Sequence, residues 1–382
     1  MKPKHLGALL AAVTITLTAC GSPQAATDGA LNVGVVYSQS GPLAGYGAQY
    51  AEGFKAGLAY ATGNTGRIGD KTINVTYADD AGDPVKAVSA AKDLIGKGYK
   101  VLAGSTSSGV ALQVAPLAAE NRVLFVSGPA ATDAITGANR YTFRSGRQSY
   151  QDVQTAKAYL GDGRKVLVFA PDSAFGKSNV EAVKNVLGQQ ATVTDIAVPA
   201  TATDFTPFAN QVRDAKPDLV FVAWAGTTAG AMWQALDQQG VLASTKVVTG
   251  LDIRASWAGF GAGGTKLNLL AHYFDGAADN PAYQALKQAV PGGRTDLFHP
   301  DGFAAAQMIV HALEAGPDDA DTMVAALEGY SFDSVKGTLT VRAGDHALLQ
   351  PMFQAKLTGS GDALTATPTG TIAADDAAPP AR

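Results

Sequence analysis

The residues of this chain best placed to do chemistry are hydroxyls and carboxylates in small-residue loops. Gly104-Ser105-Thr106-Ser107-Ser108-Gly109 stands where the apolar run Val101–Ala103 gives way to a helical pattern starting near Ser108. Free N–H groups and the dipole at such an end attract a carboxylate or phosphate. The same hydroxyls also serve as ordinary helix caps. Ser127-Gly128-Pro129-Ala130-Ala131-Thr132-Asp133 follows Val123–Val126 and adds backbone groups and a hydroxyl. Later in the chain, Asp172-Ser173-Ala174-Phe175-Gly176 puts a ring at a helix entrance, and Trp224-Ala225-Gly226-Thr227 follows another apolar run. Gly250-Leu251-Asp252 offers a carboxylate, which also fits an N-cap for a helix beginning at Ile253. One group of loops suits an anion and the other a cation flanked by rings. Together they suit a zwitterion with an apolar side chain, since a buried charge needs a partner.

Enzyme motifs fare worse. Gly259-Phe260-Gly261-Ala262-Gly263-Gly264 matches G-x-G-x-x-G, but a helical pattern precedes it and a strand follows, the reverse of a dinucleotide site. No Walker lysine or G-x-S-x-G elbow is present. A hydrolase using Ser107 or Ser108 lacks an identifiable activating base. The five histidines (5, 272, 299, 311 and 346) show no H-E-x-x-H pairing and read as core or surface residues. Asp79, Asp80 and Asp83 lack calcium-loop spacing and read as a capped turn before Pro84. No metal or cofactor is expected.

The 382 residues carry 46% hydrophobic and 16% charged types, enough to bury sizeable cores, and a net charge of −4 that argues against nucleic acid. One cysteine excludes a disulfide framework and a Cys-rich zinc site. Its position is informative. Lys2 and Lys4 precede the apolar stretch Leu6–Leu17, too short to span a bilayer but suited to a signal-peptide core. Leu17-Thr18-Ala19-Cys20-Gly21 then resembles a bacterial lipobox, which implies cleavage after residue 19 and a lipid on Cys20. Residues 20–28 read as a flexible tether.

The elements that must position these loops alternate. Strand patterns at Leu31–Tyr37, Ile73–Ala78, Val101–Ala103 and Val123–Val126 interleave with helical ones at Gly45–Ala61, Pro84–Gly96 and Ser108–Glu120. The theme restarts at Ser149–Leu160 and runs to Lys246–Gly250, predicting an α/β fold of two lobes with parallel sheets. In such sheets ligands bind beyond the carboxyl ends of the strands, where the loops above lie. Leu267–His272, helices near Asn280–Val290 and Asp301–Ala315, and strands at Gly337–Val341 and Pro351–Lys356 complete the pattern. From Gly359 the Gly/Ala/Thr/Asp/Pro-rich tail reads as disordered beyond a short β stretch at Leu364–Thr367.

YSQSGPLAGYG, YADDAGDP, GSTSSGVALQVAPLAAENRVLFVSGPAATD, FAPDSAFG and FVAWAGTTAGAMWQALDQQG, in this order from Leu31 to Leu357, resemble the type I periplasmic binding proteins of the branched-chain amino-acid family. The resemblance implies two Rossmann-like lobes joined by a three-crossover hinge, with the ligand between them. The lobes would be 29–146 plus 275–336 and 147–274 plus 337–367, with a disordered tail at 368–382. It implies that Ser108 and Thr132 bind a carboxylate and that Ala130 and Ala131 offer backbone groups. Asp252 would pair with an ammonium, and Phe175, Trp224 and Phe303 would line the cleft. It further implies no catalysis, an extracytoplasmic place at a bacterial membrane, and delivery of a small apolar amino acid to an ABC permease. Asp252 is a methylene shorter than the family's glutamate, and Phe175 and Phe303 stand where tyrosines are usual. An aromatic acid, amide or urea-like solute, or a purely sensory role, is the alternative.

Overall fold

The computed structural model describes residues 29–382. The expected signal peptide, Cys20 and the tether lie outside the described residues.

The chain first builds β1 (Leu31–Tyr37), α1 (Ala44–Ala61), β2 (Arg67–Ile68), β3 (Lys71–Asp79), α2 (Pro84–Gly96), β4 (Val101–Gly104), α3 (Ser108–Asn121), β5 (Leu124–Ser127) and β6 (Thr142–Arg144). These six strands form one sheet in the order β2-β3-β1-β4-β5-β6, parallel except for the β2–β3 hairpin. Near-continuous apolar runs such as Val33, Val35 and Val36 in β1 fit a sheet covered on both faces. The expected turn at Asp79–Asp83 is a brace. Asp83 caps α2 ahead of Pro84, while Asp79 accepts N–H bonds from Gln39 and Ser40 in the loop after β1.

The second run contains α4 (Ser149–Ala156), β7 (Lys165–Pro171), α5 (Ala174–Leu187), β8 (Thr192–Val198), α6 (Thr206–Ala215), β9 (Leu219–Val222), α7 (Ala229–Gln238), α8 (Val241–Ser244), β10 (Lys246–Gly250) and β11 (Asn268–Ala271). The chain then returns to the first sheet with α9 (Pro281–Ala289), α10 (His299–Ala315) and α11 (Ala320–Leu327). The strands β12 (Ser331–Ser334), β13 (Gly337–Val341) and β14 (Leu348–Leu349) make a small antiparallel sheet, and β15 (Met352–Thr358) and β16 (Thr365–Ile372) end the fold. The second large sheet has the order β16-β15-β11-β10-β9-β7-β8, with β15 and β16 antiparallel to their neighbours.

Helix α10 packs along α1 at close range. A Cβ at Gly53 or Gly57 would strike the backbone of His299 or Phe303, so glycine is what lets the two helices touch. Phe54, Met308, Ile309 and Leu313 fill the core between them and the first sheet.

Two expectations change. Residues 337–349 belong with the first lobe, because Leu339, Val341 and Leu348 join its core. The tail is ordered. β16 pairs along β15, Ala377 is fully buried, and Arg382 donates to the carbonyl of Thr136.

Candidate functional site

Strand order reverses between β1 and β4 in the first sheet and between β7 and β9 in the second. The loops leaving those strands face each other and line a cleft of about 480 Å³. The lobes touch across it. Tyr46 Oη donates to Asp252 Oδ1 at 2.8 Å, and the N–H of Asp133 donates to Ser178 Oγ at 2.9 Å.

On the first lobe, α3 points its N-terminus into the cleft, with Thr106, Ser107, Ser108 and Gly109 in the lining. The first-turn N–H groups lack intrahelical partners, and the Ser107 side chain does not cap them. Ser108 Oγ accepts the N–H of Thr132 at 3.2 Å, which leaves its own hydrogen available. Ala131 also lines the cleft. Thr132 and Ala130 are engaged behind the wall. Thr132 Oγ1 accepts the N–H of Ala134, and its carbonyl accepts Arg144 Nη2 at 2.6 Å. The N–H of Ala130 is spent on the carbonyl of Ser105. These two therefore shape the loop and do not line the cavity.

The second lobe contributes side chains. Trp224 stacks on Phe169, with centroids 5.6 Å apart, and meets Phe205 edge-on at 5.4 Å. Its indole N–H is held by Thr228 Oγ1 at 3.1 Å, so the ring is fixed. Phe175 sits at the start of α5 in the lining. Asp252 takes a left-handed backbone, φ 62°, which turns its carboxylate toward Tyr46 and the N–H of Ile253. Burial pushes its pKa up to about 6, against the hydrogen bonds from Tyr46 and Ile253 that favour the ionised form. Oδ2 accepts no hydrogen bond among the described residues, leaving room for a cation.

Phe303, expected in the cleft, is wholly buried beside Ala56, Tyr273 and Leu286. It lies on the α10 face that meets α1, so it packs core and cannot reach a ligand.

Tyr46, Arg147 and His272 are among the lining residues that had no assigned site role in the sequence analysis. Tyr46, from α1, bridges to Asp252 and packs its ring 4.7 Å from that of Phe298. Arg147, on the first crossover, donates to the carbonyl of Pro129 at 3.0 Å, pairs with Asp152 at 3.3 Å and lies over the Phe298 ring. His272 closes the hinge end of the cleft, and burial first, then Arg147 and Lys336, hold its pKa well below the ordinary value, so it is neutral. Tyr46 could have been flagged as the ring at the helical end of the YSQSGPLAGYG segment. Arg147 and His272 lie just past the carboxyl ends of β6 and β11, two strand ends whose loops the sequence analysis did not read.

The sequence profile of the periplasmic binding proteins matches residues 30–362. A Leu/Ile/Val-binding protein homolog 3 from Brucella melitensis is 27% identical, over 90% of this chain and 95% of its own length. A Leu/Ile/Val-binding protein BraC3 from Rhizobium johnstonii is 27% identical, over 87% and 92%. Among solved structures, an ABC-type branched-chain amino acid transporter from Rhodopseudomonas palustris is similar at TM-score 0.73 and 30% identity, covering 91% of this chain and 97% of that one. A solute-binding protein of an ABC transporter from R. palustris, solved with 4-hydroxybenzoate, has the same fold at TM-score 0.81 and 22% identity, over 90% and 97%. The chain belongs to the type I periplasmic binding proteins of the branched-chain amino-acid family. It is a solute-binding protein of an ABC transporter, not an enzyme, and works outside the cytoplasm. No helix among the described residues is long and apolar enough to cross a membrane.

Proposed function

We propose that this protein captures an amino acid with an apolar side chain and hands it to its permease, held at a bacterial membrane by a lipid on Cys20. One observation carries the ligand assignment. A helix N-terminus with Ser108 faces, across one cleft, a carboxylate with a free oxygen on the other lobe. The ligand's carboxylate would lie against the first-turn N–H groups of α3 and Ser108, where dipole and donors favour an anion. Its ammonium would take Asp252 Oδ2. Its side chain would lie against Trp224, Phe175 and Phe205. Because the two charge contacts come from different lobes, only the closed clamp makes both, and that difference is what drives closure.

A second reading rests on the ring wall of Trp224, Phe175 and Phe205, which also suits the flat face of an aromatic acid. The R. palustris protein solved with 4-hydroxybenzoate is a precedent within the fold. Titration calorimetry separates the two. Leucine, isoleucine, valine, phenylalanine and 4-hydroxybenzoate are titrated into the wild type and Asp252→Asn. Amino-acid heat that disappears in the variant supports the first reading. Heat with 4-hydroxybenzoate alone, unchanged in the variant, replaces it with the second.

A further inference from the structure

Three crossovers join the lobes: 145–148 between β6 and α4, 272–280 between β11 and α9, and 350–351 between β14 and β15. A single buried chain of hydrogen bonds ties all three. Gln151 Oε1 accepts the N–H of Gln148 on the first crossover at 3.1 Å and Gln350 Nε2 from the third, also at 3.1 Å. Gln350 Oε1 in turn accepts from Lys336 Nζ. The same ammonium donates to the carbonyl of His272, on the second crossover, at 3.0 Å.

Lys336 is only 4% exposed and has no carboxylate within ion-pair distance among the described residues. Asp301 on α10 is fully buried with both carboxylate oxygens unbonded, and His272 Nε2 stands 3.6 Å from one of them. Arg147 and Asp152 from the first crossover and α4, and Arg144 at the end of β6, complete the charges around the pair. Burying an ammonium against two neutral oxygens is unfavourable relative to an apolar side chain of like size. Stability is therefore not what this lysine supplies. What it has, and an apolar residue would not, is a bond to two crossovers at once.

We propose that Lys336 is a positioning residue of the clamp, tying the three crossovers into one hinge and so fixing the angle between the lobes before ligand arrives. The ammonium makes charge-assisted bonds, about twice as strong as those of the neutral amine. Burial lowers its pKa, with Asp301 opposing, which brings loss of the charge toward the mildly alkaline range. The resting angle therefore loosens as pH rises. The inference rests on the two-lobe clamp and not on which solute it takes, so it is tested without ligand.

Spin labels on Lys92→Cys and Lys184→Cys, exposed on α2 and α5, report the interlobe distance in the full chain with Cys20→Ser. The wild-type background should give one narrow distribution near neutral pH. Lys336→Met and Gln350→Leu, which break the same chain at different links, should each widen it and lengthen its mean by several ångström. Gln350→Leu decides the matter if Lys336→Met does not fold. Raising the pH from about 7 to about 10 should widen the wild-type distribution and leave that of a folded Lys336→Met unmoved. Narrow, wild-type-like distances in Gln350→Leu, or a pH response that persists in Lys336→Met, overturn the proposal. Failure of every amino acid to bind would instead overturn the ligand reading alone.

Discussion

The two walls of the cleft are built from different materials. The first lobe presents N–H groups at the end of α3 and the hydroxyl of Ser108, in a loop where most side chains are too small to intrude. The second presents an indole braced by Phe169 and Phe205, the Phe175 ring, and a carboxylate bonded to Tyr46. A backbone wall reads what many ligands share, a carboxylate. A side-chain wall reads what distinguishes them. Substitutions on the first wall should therefore weaken all ligands alike, and substitutions on the second should change their ranking.

The largest effect should come from Asp252→Ala. Removing one member of a buried, hydrogen-bonded charge pair costs about 2–5 kcal/mol in binding, roughly 30- to 5,000-fold. Calorimetry should show that loss for every amino acid and none for 4-hydroxybenzoate. Equal losses for both classes would erase the contrast between the walls. Trp224→Ala comes next, with about ten- to a hundredfold weaker binding of leucine or phenylalanine, in the range of a buried aromatic anchor. Glycine or alanine, which cannot reach the ring, should bind nearly as before.

Most of the first wall was legible in sequence because its parts are local. A strand, a run of small residues and a helix start lie within ten positions of one another, and the sheet topology brings their ends to the ligand. The second wall was half legible. Trp224 and Asp252 follow strands, but the partner that orients Asp252 is Tyr46, 206 positions away, and no local pattern encodes that pairing. Phe303 was placed in the cleft by resemblance. In this chain α10 is buried along nearly its whole length, and Phe303 falls on the side meeting α1, so its surroundings are apolar core. The tail misled for another reason. Its Gly, Asp and Pro content disfavours strand, yet pairing along β15 overrides that propensity, with Pro368 on the edge strand beside a register shift at Gln354/Ala355.

Ser108→Ala should cost less, about five- to tenfold, the net worth of one hydrogen bond when the neighbouring N–H donors remain. The factor should be the same for leucine, valine and 4-hydroxybenzoate. A loss confined to one class would show that the first wall also discriminates.

The smallest effect concerns the bond that joins the walls. Burial pushes the Asp252 carboxyl up to about 6, so at neutral pH it is ionised and ready for an ammonium. Amino-acid affinity should fall as pH drops through about 6, with protons released on binding in that range. The N–H groups of the first wall do not titrate, so 4-hydroxybenzoate should show no such step. Tyr46→Phe removes a hydrogen bond that favours the ionised carboxylate, and the midpoint should then move upward. At pH 7 the affinity for leucine should fall by less than about twofold, because most of the carboxylate is still charged. The sign for stability runs the other way. A carboxyl whose folded pKa is raised stabilises the ligand-free fold at acid pH, and that contribution is lost as pH rises through about 6. Tyr46→Phe should shift this step upward together with the binding step. Melting curves and titrations taken across the same pH range measure both, and a Tyr46→Phe protein with an unmoved midpoint would show that Tyr46 does not tune Asp252.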